Sequence, residues 1–295
     1  MYAKIKFAIS MAIFGSVGLF SEKTGLRSIE LVFVRCLCAS ILLGTIWGIS
    51  TLKTKQQREI AIPHREYLLA LLCGVFLIVN WVFFFRSLEV MPITVAVSIY
   101  HLAPVIVLLL GSVIFKEKIT KIGLVFFFVC FLGTLLVGGI HQHTTMAGFL
   151  STGVLWAFAA AFFYALTSIT GKGIKMLSPL LTTVIQTSLG ILLLMPLVDW
   201  SNFIHLTVEN WFYILVTGFI HTGFVFYLFF SSLRELKAQT IAILVFVDPV
   251  VAILLDATIL NYRPDVYQIL GIFLVFVGIS YSPKKERSYD SLHSS

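Results

Sequence analysis

Residues 101–120 read HLAPVIVLLLGSVIFKEKIT, and residues 246–265 read FVDPVVAILLDATILNYRPD. Both carry a proline in the fourth place, Pro104 and Pro249, followed by Val105 and Val250. Both run on through Leu109-Leu110 or Leu254-Leu255 to Ile114 or Ile259. The offset is 145 residues. Held without a gap, it brings Phe84-Phe85 and Ser87-Leu88 onto Phe229-Phe230 and Ser232-Leu233, and Phe128, Phe131 and Gly133 onto Phe273, Phe276 and Gly278. Apolar bias inflates such matches, so the weight rests on Ser, Pro and Gly. Towards the start of each half the better offset is 150, which sets Phe14-Gly15 on Tyr164-Ala165 and Ser28 and Leu31 on Ser178 and Leu181. The chain reads as an internal duplication.

What is duplicated follows from composition. Of 295 residues 59% are apolar and 12% charged, with a mean hydropathy of +0.99. A soluble domain carries about 25% charged residues, so too few are present to wet a surface. The apolar residues fall in ten blocks, approximately 5–22, 28–49, 66–86, 91–115, 120–140, 148–170, 178–198, 211–233, 238–260 and 265–282. Each is long enough to cross a hydrocarbon core of ~30 Å as a helix. The expected fold is therefore an all-α membrane protein of ten transmembrane helices. Five helices per repeat is an odd number, so the halves must be inverted relative to each other. The expected units are 1–143, 144–283 and a disordered cytoplasmic tail over 284–295.

Charge placement gives sidedness. Summed over alternate loops, sixteen Lys and Arg lie on the side of the termini, among them Lys53, Lys55, Arg58 and Arg65 in the longest connection. Only Lys23, Arg27, Arg86 and Arg263 lie opposite. This positive-inside bias puts both termini in the cytoplasm and the protein in the cell membrane. It also accounts for the net charge of +7 without nucleic acid. Cys36, Cys38, Cys73 and Cys130 all fall inside apolar blocks with no C-x-x-C spacing, which excludes disulfide and zinc frameworks. The N-terminus has no small-residue cleavage site before Ser21-Glu22-Lys23 and reads as a retained first helix.

Short motifs recur along the chain: Ile13-Phe14-Gly15, Val32-Phe33-Val34-Arg35, Leu102-Ala103-Pro104-Val105 and Phe115-Lys116-Glu117-Lys118-Ile119-Thr120, with Phe163-Tyr164-Ala165 and Asp248-Pro249 in the second half. In these the chain resembles the EamA-like branch of the drug/metabolite transporter superfamily from end to end. It departs from the family in having Phe14 and Tyr164 where Trp is usual. The second terminal acid is also replaced, within Asn261-Tyr262-Arg263-Pro264. The resemblance implies amino acids, amines or related metabolites as substrates, more often exported than imported.

Ionisable groups at membrane depth need a partner, a wet cavity or a task. Arg35, His101, His221, Asp248 and, nearer the outer rim, Asp256 are such groups, and Asn80, Tyr100, Tyr164, Gln186 and Tyr227 add neutral hydrogen-bonding capacity. Asp248 precedes a proline that frees a carbonyl one turn back. It either holds a substrate ammonium or a proton, or pairs with Arg35 or a histidine. Arg35 either grips a carboxylate bidentately or braces helices. His101 and His221 are either proton carriers near neutral pH, with protons as the candidate coupling ion, or neutral hydrogen-bonded core residues. Trp81, Phe14 and Tyr164 are candidate pocket walls. Gly133, Gly138, Gly139, Gly271 and Gly278 read as close-packing positions. Glu117 is either a surface ion pair or a gate contact.

Inverted repeats with a midplane site are a transporter architecture. The expectation is a secondary transporter of a small polar zwitterion, working by alternating access as a monomer or homodimer, with no cofactor. A nutrient or nucleoside-like uptake permease is the alternative. A membrane enzyme is disfavoured because no H-E-x-x-H or G-x-S-x-G occurs, and ATP drive because no P-loop occurs. A scaffold would need a soluble domain.

Overall fold

The computed structural model describes residues 2–53, 62–90, 93–137, 152–259 and 263–280, and these are helical with no strand among them. The helices are α1 (Tyr2–Phe14), α2 (Val17–Glu22), α3 (Ser28–Lys53), α4 (His64–Val90), α5 (Ile93–Tyr100), α6 (Ala103–Ile114) and α7 (Lys121–Val137). There follow α8 (Thr152–Gly173), α9 (Pro179–Leu194), α10 (Val208–Gly218), α11 (Val225–Leu233), α12 (Ala238–Leu244), α13 (Val247–Ile259) and α14 (Val266–Ile279). Among the described residues, seven helical stretches are long and apolar enough to cross a membrane, and α6, α7 and α14 are shorter apolar helices. The 143/144 boundary, Lys55, Arg58, Gly138, Gly139, the tail and the Asp256 side chain lie outside the described residues.

Every apolar block contains helix, but three are interrupted. The block 91–115 breaks at His101-Leu102, between α5 and α6. Pro104 sits in the first turn of α6, where its missing N–H costs nothing. The block 238–260 breaks one residue before the equivalent place, at Val245-Phe246, ahead of Pro249. The first block breaks between α1 and α2 at Gly15-Ser16, where Ser16 N–H turns back to the Ile13 carbonyl at 3.1 Å. A fourth irregularity is a π turn over Phe219–Phe224, which joins α10 to α11.

The halves interlock helix by helix. α4 packs on α8, α1 on α11, α3 on α9, α6 on α12 and α7 on α14. The last crossing is the tightest. A methyl group on Gly133 would lie 2.7 Å from the Gly271 carbonyl oxygen, and one on Gly271 would lie 2.5 Å from that of Gly133. A methyl on Gly278 would lie 3.0 Å from the Phe126 carbonyl. The 145-residue offset turns Gly133 into Gly278 and Phe126 into Gly271, so the first contact maps onto the third. Between them Cys130 Sγ lies 3.8 Å from the carbonyl of Val275, its own counterpart. All four cysteines are free and buried, as their place in the sequence implied.

Hydrogen bonds between helix ends define two faces. On one, Glu66 at the start of α4 accepts backbone N–H groups of Lys175, Met176 and Leu177 at 3.0, 2.8 and 3.2 Å. Glu117, past α6, contacts Lys172 at the end of α8 and Ala238 at the start of α12. On the other face, Asn210 donates to the Lys23 carbonyl at 2.9 Å and Glu89 accepts the Ser28 N–H at 2.8 Å.

Candidate functional site

The three breaks meet around one cavity. A methyl on Gly15 would lie 2.5 Å from the Asp248 carbonyl, so the α1–α2 break is pressed against the start of α13 and only glycine fits there. The cavity holds about 530 Å³ and its wall includes Phe14, Arg35, Asn80, Trp81, Tyr100, His101, Tyr164 and Asp248. From this level the wall continues to Leu88, Val137, Leu255, Gln268 and the exposed Glu22. It reaches the face that carries Lys23 and Ser28, and we call that the mouth.

Inside, the two charges stand apart. Arg35 is 2% exposed, and its Nε donates to the Thr222 hydroxyl at 2.9 Å. Its guanidinium carbon lies 4.7 Å from the Trp81 ring centre and 5.2 Å from that of Phe85. These ring faces stabilise the cation without neutralising it. Among the described residues no carboxylate lies within ion-pair distance of Arg35, and no side chain donates a hydrogen bond to the Asp248 carboxylate. The structural pairing of Arg35 with Asp248 is not made in this state.

The neutral groups are already oriented. Asn80 donates to the Ala160 carbonyl at 2.7 Å and the Tyr100 hydroxyl at 3.2 Å, which leaves its carbonyl oxygen as an acceptor. His101 Nδ1 lies 2.7 Å from the Val97 carbonyl. A carbonyl only accepts, so Nδ1 carries a proton and donates it to Val97. Rings fill the rest of the wall: Phe14 and Trp81 each meet Phe226 edge-on, with centroids at 4.9 and 4.8 Å.

Three of the sequence's candidates are not in the wall: Gln186, His221 and Tyr227. Gln186 is buried on α9 beside Gly74, with neither end of its amide bonded. His221 and Thr222 stand in the π turn. His221 Nε2 lies 2.7 Å from the Ser16 hydroxyl, which itself donates to the Ile13 carbonyl at 2.8 Å. The π turn thus ties the helix break at Ser16 to the guanidinium of Arg35. Thr222, Phe226 and Gln268 were missed in the sequence. Threonine at depth is too common to signal a site, and one Phe among 27 carries no weight.

Thr222→Val should lower the melting temperature, because a hydrogen bond to a charged donor contributes about 1.5–3 kcal/mol. Thr222→Ser should restore it. A Thr222→Val melting curve that overlays the wild type would show that the bond contributes nothing.

The EamA-like transporter family model matches residues 2–139 and 151–282. The chain belongs to the EamA-like transporter family. A Bacillus subtilis (strain 168) relative named "Uncharacterized transporter YxxF" is 49% identical over 278 residues, which cover 94% of this chain and 88% of the relative. A solved crystal structure superposes with a TM-score of 0.79 over 95% of this chain and 97% of that one, at 15% identity, a likeness of fold alone. This EamA-like chain is accordingly a membrane transporter, and its cavity is the natural place to look for a substrate.

Proposed function

We propose that this transporter moves a small zwitterionic metabolite, an amino acid or related amine, by alternating access between two inverted five-helix halves. The observation that carries the reading is an unpaired carboxylate and an unpaired guanidinium in one aromatic-walled cavity, at the level of three helix breaks. Buried charges left apart are costly. A ligand that brings a carboxylate to Arg35 and an ammonium to Asp248 compensates both at once. Phe14, Trp81 and Tyr164 cover its apolar part, and Asn80 and Tyr100 offer neutral hydrogen bonds.

The inverted repeat is supported by the exchange of the Gly133 and Gly278 contacts under the 145-residue offset. It is also supported by the most extensive helix pairings, which join one half to the other. With both termini cytoplasmic, the mouth faces outside, where an exporter releases its cargo. An uptake permease would load from the same state, and the gradients decide between the two.

The test is flux in proteoliposomes, preceded by a thermal-shift screen of amino acids and their decarboxylated amines on purified protein. A zwitterion should stabilise the protein and cross unchanged. If only mono-charged compounds bind, or the bound compound emerges chemically altered, the reading fails.

Protons are the proposed coupling ion, through Asp248 and His101. Flux should vary with pH in the wild type and flatten in Asp248→Asn or His101→Gln. An unchanged pH profile in both removes proton coupling.

A further inference from the structure

The face opposite the mouth carries an ion pair between a buried lysine and a half-buried glutamate that no binding role accounts for. Lys172, 6% exposed at the end of α8, places Nζ 2.8 Å from Glu117 Oε1. The same ammonium donates to the Leu236 carbonyl and lies 5.0 Å from the Phe115 ring centre. The second oxygen of Glu117 accepts the Ala238 N–H at 2.7 Å, at the first residue of α12. Two side chains thus join the end of α6, the end of α8 and the linker from α11 to α12. Those elements lead directly into the site: α6 begins just beyond His101, and α12 ends just before the break ahead of Asp248.

The surrounding charge is unbalanced. Lys175 and Arg234 share this face with Lys172, and Lys175 Nζ donates to the Arg234 carbonyl at 3.4 Å. Burial, with Lys172 and Arg234 beside it, pushes the Lys175 ammonium below its usual range. The opposing carboxylates are Glu117 and Glu66, and Glu66 is occupied with the N–H groups of the loop after α8. Among the described residues Glu117 is therefore the one carboxylate that pairs directly with Lys172, and its loss leaves crowded cations that repel.

We infer that Glu117 and Lys172 form the latch that holds the transporter open at the mouth and sealed on the opposite face. The inference rests on the alternating-access reading above. The opposite state needs α6, α8 and α12 to part at this face, so the pair must break in every cycle. It therefore sets how the two states are populated, although neither residue touches the cavity wall.

The test needs no knowledge of the substrate. Ala252→Cys places a thiol in the cavity wall one turn beyond Asp248, over a background of four buried native cysteines. Its reaction with a charged, membrane-impermeant maleimide is followed by intact mass, in right-side-out and in inverted vesicles. The otherwise wild-type protein should label from the mouth side. Adding Glu117→Gln with Lys172→Met removes both charges together and leaves neither stranded. Mouth-side labelling should then fall about fivefold and labelling from the sealed side rise, the signature of a shifted two-state population.

Lys172→Arg keeps the cation and should retain mouth-side labelling. A check that needs neither latch variant is carbodiimide coupling of Glu117 to Lys172 in the Ala252→Cys protein, located by peptide mass. The coupled protein should label only from the mouth side. Unchanged rates in a folded double variant, or sealed-side labelling of the coupled protein, overturn the latch alone. Equal labelling of the introduced thiol from both sides, in the Ala252→Cys protein with an intact pair, would instead sink alternating access.

Discussion

Asp248→Asn should weaken the binding of ammonium-bearing ligands by ten- to a hundredfold while the fold survives. Asparagine keeps the shape and the position ahead of Pro249 but removes the charge. A charge-assisted hydrogen bond contributes about 1.5–3 kcal/mol, and each 1.4 kcal/mol is about a factor of ten. No described side chain depends on the carboxylate, so its neutralisation leaves no partner stranded. The melting temperature of the unliganded variant should match or exceed the wild type, and the ligand-induced rise should shrink. Ligands that stabilise both proteins equally would show that Asp248 does not hold the ammonium. Arg35→Gln gives the complementary result, a selective loss for compounds that carry a carboxylate.

Gly271→Val should be the most damaging single change to the fold. Its Cβ would stand 2.5 Å from the Gly133 carbonyl and 2.9 Å from both Leu136 Cβ and the Val137 backbone nitrogen, and backbone cannot step aside. Overpacking costs about 1–3 kcal/mol where side chains yield, and more where helices must separate. A fall in melting temperature on the order of 10 °C is expected. Gly48→Ala, with open space where the methyl would go, is the control and should change little. A Gly271→Val protein that melts with the wild type would mean that α7 and α14 do not pack as described.

The positions of the helices were legible because every block had to be long and apolar, and the prolines at 104 and 249 marked two of the three breaks. The rotation of each helix was not. In water a helix shows its buried face by contrast with a polar one, but in lipid both faces are apolar. That is why Gln186 and Tyr227 could be picked from the apolar blocks and still miss the cavity. His221 fell short for another reason: a π turn re-aims side chains, and nothing in Phe219–Phe224 announces one. Asp248 and Arg35, which do line the cavity, stood out in the sequence because charge in lipid is conspicuous by itself. Whether they paired with each other depended on distances that no spacing along the chain encodes.

The irregularities are distributed unevenly. α8, the counterpart of the broken α1–α2 stretch, runs uninterrupted from Thr152 to Gly173, and α4 has no π turn to match that between α10 and α11. Two inverted halves that were true copies would climb the same barrier in each direction. Under the proposed alternating access, the first half bends at Ser16 and the second unwinds at His221, each where its counterpart is continuous helix. On that reading the two strokes flex different helices, so their activation energies differ. Net flow still obeys the gradient, but the resting molecule waits on the side that precedes the slower stroke.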